Sequence, residues 1–138
     1  MTALTADRRA TQQLNHPEVR VLPVAAGAKI YGGALVVLNA TGYAKPGVTG
    51  TGLLAVGRAD IQVDNSLGTD GALSVPVRRG VFCFANSASA DQVTNVHITR
   101  TCYVVDDQTV AATDGSSTRS AAGKVFAIDD AGVWVEFA

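Results

Sequence analysis

From Val19 onward, apolar residues come in short runs that alternate with polar ones or are closed off by glycine, and the period is that of strands throughout. Candidate strands cover 19–24, 29–31, 35–38, 53–59, 73–79, 81–84, 103–105, 110–112, 124–128 and 133–137. Between them stand Gly32-Gly33, Thr41-Gly42, Pro46-Gly47, Asp70-Gly71, Asp114-Gly115 and Ala131-Gly132, the residue types that accept a positive φ or fix it for a tight turn. No long helical period appears, so the pattern predicts an all-β domain, a compact barrel or sandwich of short strands. In the segment Leu73–Phe84, Val75 and Val77 share one face; Pro76 cannot donate to a ladder, which predicts an edge strand or a bulge near Gly80. The single helical signal inside the β region is Ser89–Val96, where Ser89 and Gln92 stand at capping-box spacing ahead of Val93 and Val96.

The first residues read differently. Thr2, Thr5, Thr11, Gln12, Gln13 and Asn15 leave only Leu4 and Leu14 as anchors, too few for a helix from Thr5 to hold unaided. Residues 1–18 are therefore expected to be an N-terminal arm and residues 19–138 the β domain. A chain of 138 residues, 47% hydrophobic, has material for one core.

Eleven basic and twelve acidic residues give a net charge of −1, with no basic block longer than Arg8-Arg9 or Arg78-Arg79. That balance gives no footprint for nucleic acid or an anionic membrane and leaves protein as the expected partner. Apolar runs such as Ala34–Leu38 are far too short to span a bilayer, and Asp7, Arg8 and Arg9 lie where a signal peptide would be apolar, so the expected site of synthesis is the cytoplasm. Cys83 and Cys102 lie inside strand patterns and read as packing residues rather than a disulfide.

Candidate chemistry is sparse. Gly47–Gly57 lacks the lysine and the following helix of a phosphate loop. Asp64-Asn65-Ser66-Leu67-Gly68 begins like a calcium loop but has Val75 at the twelfth position, so it reads as a hairpin loop. Asp106-Asp107 and Asp129-Asp130 are adjacent pairs whose side chains diverge in a strand, and they read as turn residues. A hydrolase would need His97, Asp106 or Asp129 and one of Ser116, Ser117 and Ser120 to converge. Asn39-Ala40-Thr41 reads as a turn. Trp134 reads first as core, second as a subunit interface. No catalytic, cofactor-binding or metal-ligating residues are assigned.

Four stretches together resemble the small capsid decoration, or cement, proteins of tailed bacteriophages: Ala26–Val36; Asp64–Gly71 leading into Val75-Pro76-Val77-Arg78-Arg79-Gly80-Val81-Phe82; Tyr103–Val110; and Ala122–Val125 with Gly132–Val135. The resemblance runs from about Val21 to Phe137. Two departures are Asn95-Val96-His97, where the family tends to have a Val-Gly step, and an arm longer than usual. The resemblance implies a β domain that forms homotrimers on the outer surface of the icosahedral virion head and links major capsid protein subunits by binding, without turnover. A protein facing packaged DNA would be basic, and this one is not. Neighbouring trimers would meet through the N-terminal arm, and Leu4, Arg8, Arg9, Leu14, Pro76, Arg78, Arg79 and Trp134 are the expected interface residues. A virion-surface carbohydrate-binding or head-fibre module is the alternative, although one Trp and three Tyr offer little for an aromatic platform.

Overall fold

The computed structural model describes Ala3, Thr5, Ala6 and residues 14–138. It is all-β. Twelve strands run in chain order: β1 (Val19–Pro23), β2 (Lys29–Ile30), β3 (Leu35–Leu38), β4 (Ala44–Pro46), β5 (Leu54–Ala59), β6 (Val63–Asp64), β7 (Ser74–Arg78), β8 (Gly80–Phe84), β9 (Thr101–Val104), β10 (Val110–Ala111), β11 (Ala121–Asp129) and β12 (Gly132–Phe137).

They form two five-stranded antiparallel sheets and a two-stranded ribbon. The first sheet has the order β1-β7-β5-β3-β4, the second β10-β9-β11-β12-β8, and β2 pairs with β6. Both large sheets curl toward closure. A parallel bridge from Val24, just past β1, to Ala44 of β4 joins the two edges of the first; Ala85, just past β8, bridges Thr109, just before β10, in the second. Bridges of this kind tie the ends of the edge strands together, while the outer side of β8 itself carries no paired strand among the described residues.

Two cores follow from the alternation. Val24, Ile30, Val36, Ala44, Ala59, Val63, Val75 and Val77 fill the inside of the first sheet with the β2–β6 ribbon. Leu35 and Val37 point the opposite way from Val36 and pack, with Phe84, Cys102, Val104, Val110, Val125, Val133, Val135 and Phe137, between the first sheet and the second. This explains why the Leu35–Leu38 run is apolar at nearly every position: β3 is covered on both faces.

Each of the ten expected strands is present, and two were missed. β4 holds Pro46 and shows no alternation, and β6 is two residues long. The expected edge position of Pro76 is overturned, because β7 lies between β1 and β5. Proline is accommodated there because the β5 ladder ends at Ala59 opposite Val77. The Pro76 carbonyl then receives the Asp60 N–H at 3.0 Å, and the missing donor falls on the side that β5 has left. From Arg78 the same chain passes through Arg79 into β8, so one continuous segment serves both sheets. Gly57 lies beside it at φ +141°, and a Cβ there would collide with the Arg78 carbonyl oxygen.

The one or two helical turns expected over 89–96 are present as two separate 3₁₀ turns, Ser89–Asp91 and Asn95–His97. Ser89 makes no capping bond and sits at φ +58°. Thr94 and His97 form the capping box instead.

Candidate interaction surface

Strand alternation decides what the outside of the second sheet displays. On β12, Val133, Val135 and Phe137 are buried, so Trp134 and Glu136 face outward. On β8, Phe82 and Phe84 pack toward the core, leaving Val81 and Cys83 on the outer side, with Cys83 opposite Trp134 and Val81 opposite Glu136. On β11 the register slips between Val125 and Ala127, and Phe126, the residue caught in that bulge, is pushed into solvent at 61% exposure. Val81, Phe126, Ala127, Ile128 and Trp134 then line one shallow apolar cleft that also includes Asp129. Ile98, Lys124 and Glu136 extend it on the other side of Phe126.

Trp134 is thus not a core residue. It is half-buried on the outer face, and its Nε1–H donates to Asp129 Oδ2 at 2.8 Å. That bond, with the Ala131 N–H donated to Asp129 Oδ1, holds the Asp129 carboxyl below the usual carboxylate range.

A second apolar display sits on the loop between β6 and β7. Asn65 is 2% exposed, and its Nδ2 lies 2.9 Å from the Thr69 carbonyl, 3.0 Å from that of Ala25 and 3.3 Å from that of Val24. Asp64 Oδ1 accepts the Ser66 N–H, and Asp70 Oδ1 accepts the Ala26 N–H at 2.7 Å. On this pinned loop Leu67 projects fully into solvent. Ordering costs of the loop are met within the domain, so the leucine is presented in one place rather than averaged over many.

At the root of the arm the charges pair with one another. Asp60 receives Arg78 through Nε at 3.3 Å and Nη2 at 3.2 Å, and Arg58 Nη2 at 3.2 Å. The Arg78 hydrogen bonds, then that from Arg58, hold the Asp60 carboxyl low. Arg58 also stacks 4.3 Å over the Phe82 ring, and Glu18 stands 3.9 Å from Arg78.

Of the expected interface residues, Leu4, Arg8 and Arg9 lie outside the described residues. Leu14 is 76% exposed. Pro76 and Arg78 are half-buried and lie on the face of β7 opposite Val75 and Val77, with Arg78 engaged by Asp60. Arg79 donates its N–H to the Glu18 carbonyl at 2.8 Å where the chain changes sheets. Trp134 belongs to the other sheet, so these positions are not gathered in one patch. Phe126 and Leu67 escaped the sequence reading: a bulge and a pinned loop are tertiary facts, although the Asx-type residues flanking Leu67 were visible.

The residues a hydrolase would need are engaged elsewhere. His97 Nδ1 accepts the Thr94 N–H at 2.9 Å, and Asp106 Oδ1 accepts the Gln108 N–H at 2.9 Å. Buried Ser120 donates to the Gly50 carbonyl at 2.7 Å and accepts the Leu53 N–H at 3.1 Å. Ser116 and Ser117 sit in a turn at positive φ. Asn39 Oδ1 receives the N–H groups of Thr41 and Tyr43 and the Thr41 hydroxyl, the turn expected there. Both cysteines are free; Cys102 is fully buried, and that burial pushes its thiol up to about 11. Among the described residues no group of three or more His, Cys, Asp or Glu side chains is placed to hold a metal, and no helix is long and apolar enough to cross a membrane.

Comparison of the chain with protein-family models, with curated proteins and with solved structures finds no match.

Proposed function

We propose that the chain is a virion structural protein that decorates the outer surface of an icosahedral phage head as trimers and stabilises it by linking major capsid subunits, acting by binding alone. The observation that carries this reading is the pairing of a rigid body with two separate apolar displays, Leu67 on its pinned loop and the Phe126–Trp134 cleft on the second sheet. A protein that ties neighbours together needs at least two contact surfaces held in fixed relation; the Phe126–Trp134 cleft is a contiguous apolar surface of that kind, and Leu67, with Leu73 45% exposed beside it, offers a second. Sequence resemblance points the same way, and the near-neutral charge suits a surface position better than contact with packaged DNA.

The test is decoration itself. Purified protein is mixed with expanded, undecorated heads, unbound protein is removed, and the heads are reconstructed, while light scattering on a sizing column gives the mass of the free protein. Trimeric density on the outside of the shell, together with resistance of decorated heads to disruption, is the expected result. Heads that come through the incubation bare, at protein concentrations well above the number of available sites, overturn the proposal.

A further inference from the structure

The cleft on the second sheet and the N-terminal segment are matched in chemistry, and residues 14–17 turn away from the edge of their own sheet. The β1–β7 ladder runs up to Val19 opposite Arg78, with Glu18 bonded to Arg79. Carried straight on, it would lay residues 14–17 along β8, the outer strand of the second sheet. Instead the Val19 N–H closes a turn onto the His16 carbonyl at 3.3 Å across Pro17, and the chain leaves that edge with Leu14 76% exposed. Residues 1–14 could extend up to roughly 45 Å. A domain of this size has a radius of gyration of about 14 Å, so the segment is long enough to reach across a neighbouring copy.

Charge and shape say where it would land. The segment carries Leu4 and Leu14 on either side of Arg8-Arg9. The cleft offers Val81, Phe126 and Trp134 as apolar floor, with Asp129 in its lining and exposed Asp130 next in sequence. Trp134 and Ala131 fix the Asp129 carboxylate as a charged acceptor, and the outer side of β8 carries no strand among the described residues. We infer that the N-terminal segment of a second copy docks on this face, its leucines on Val81, Phe126 and Trp134 and its arginines at Asp129-Asp130. This arm exchange rests on the reading that copies of the chain assemble side by side; it assigns the receiving surface, which that reading leaves open.

Trp134 is the only tryptophan, so its emission reports on the face directly. In full-length protein at assembling concentration, covering the face is expected to lower acrylamide quenching of Trp134 roughly twofold relative to the full-length R8E/R9E variant, since collisional access follows exposed ring surface. Moderate salt should erase much of that difference. Mixing R8E/R9E protein with full-length W134F isolates docking in trans, because the only tryptophan then belongs to the copy whose arm is reversed; its emission should shift to the blue. Should W134F not fold, a synthetic peptide of residues 1–14 titrated into R8E/R9E protein makes the same measurement. Trp134 quenched equally in wild type and R8E/R9E, or unmoved by both W134F protein and peptide, overturns the inference. Head decoration is scored on the same preparations. Normal decoration without shielding removes the arm exchange alone, whereas shielding on protein that never binds heads removes the decoration reading and leaves the exchange standing.

Discussion

Replacing Asn65 with Ala tests whether the Leu67 loop is built as rigidly as its bonds imply. The amide sits at 2% exposure with the carbonyls of Thr69, Ala25 and Val24 within 3.3 Å of its nitrogen. Two N–H groups can satisfy two of these well, and each such bond contributes about 1 kcal/mol net. Removing the amide also strands carbonyl oxygens in a space too enclosed for easy rehydration, a penalty of about 1–3 kcal/mol. The expected loss is about 3 kcal/mol, a large part of the total for a domain whose whole stability is of the order of 5–15 kcal/mol. Urea melts give the number, read at unchanged slope so that it refers to the same transition. Asn65→Asp should lose more, since a carboxylate offers only acceptors to three carbonyl oxygens. Limited proteolysis should then cut near Leu67 in Asn65→Ala and spare the wild type. A loss below about 1 kcal/mol, with the loop still protected, would refute the argument that this side chain holds it.

Three further outcomes follow from the geometry. Trp134→Ala should cost only about 1 kcal/mol because the ring lies on the outer face, whereas Phe137→Ala should cost about 3–5 kcal/mol, the Phe137 ring being buried and edge-on to Phe84 at 5.9 Å; paired denaturant melts compare them. Asp60 has its carboxyl lowered by Arg78 and then Arg58, so its ion pairing adds stability that is full above the unfolded value near pH 4 and fades as pH falls through the lower native value. Asp60→Asn should therefore be less stable than wild type at pH 7 and converge with it in strong acid, and a difference that persists unchanged to pH 2 counts against the pairing. Cys102, fully buried with its thiol raised to about 11, should resist a thiol reagent until the chain unfolds, leaving the half-buried Cys83 to react first.

What could be read in the sequence was set by range. Strands such as β7 and β12 carry their own period, and each was legible because local alternation is what burial on a pleated sheet selects. Trp134 was misread for lack of a reference face. Val133-Trp134-Val135 alternates under either assignment, and only Phe137 and the facing Phe82 and Phe84 decide which side is inward. Pro76 pointed on sound local grounds to an edge strand or a bulge near Gly80, and the edge alternative fails because β5 stops short of it, a fact about a strand some twenty residues earlier. Phe126 depended on a slip in register against β12, and Asn65 on carbonyls some forty residues away. Pro76, Phe126 and Asn65 each have a role fixed by partners outside their own strand or loop.

The same distinction bears on the surface. Catalysis calls for groups converging on one point, and here the candidates for such groups, His97, Asp106 and Ser120, each close a local turn or bridge two loops. Apolar side chains are arranged the other way, with Val75 and Val77 turned inward on the segment that joins the two sheets and Val81 turned outward three residues after Arg78. Because one backbone segment passes from the root of the arm at Glu18–Arg79 into the cleft at Val81, a load applied at either place is carried by the β7–β8 segment and both of its sheets rather than by a loop. That coupling gives a mechanical test of the proposed linking role. Gly57→Ala, which forces the Arg78 carbonyl to move, should weaken arm-dependent attachment to heads as well as the fold, and attachment that survives a measurable loss of stability there would show that the arm and the cleft act independently.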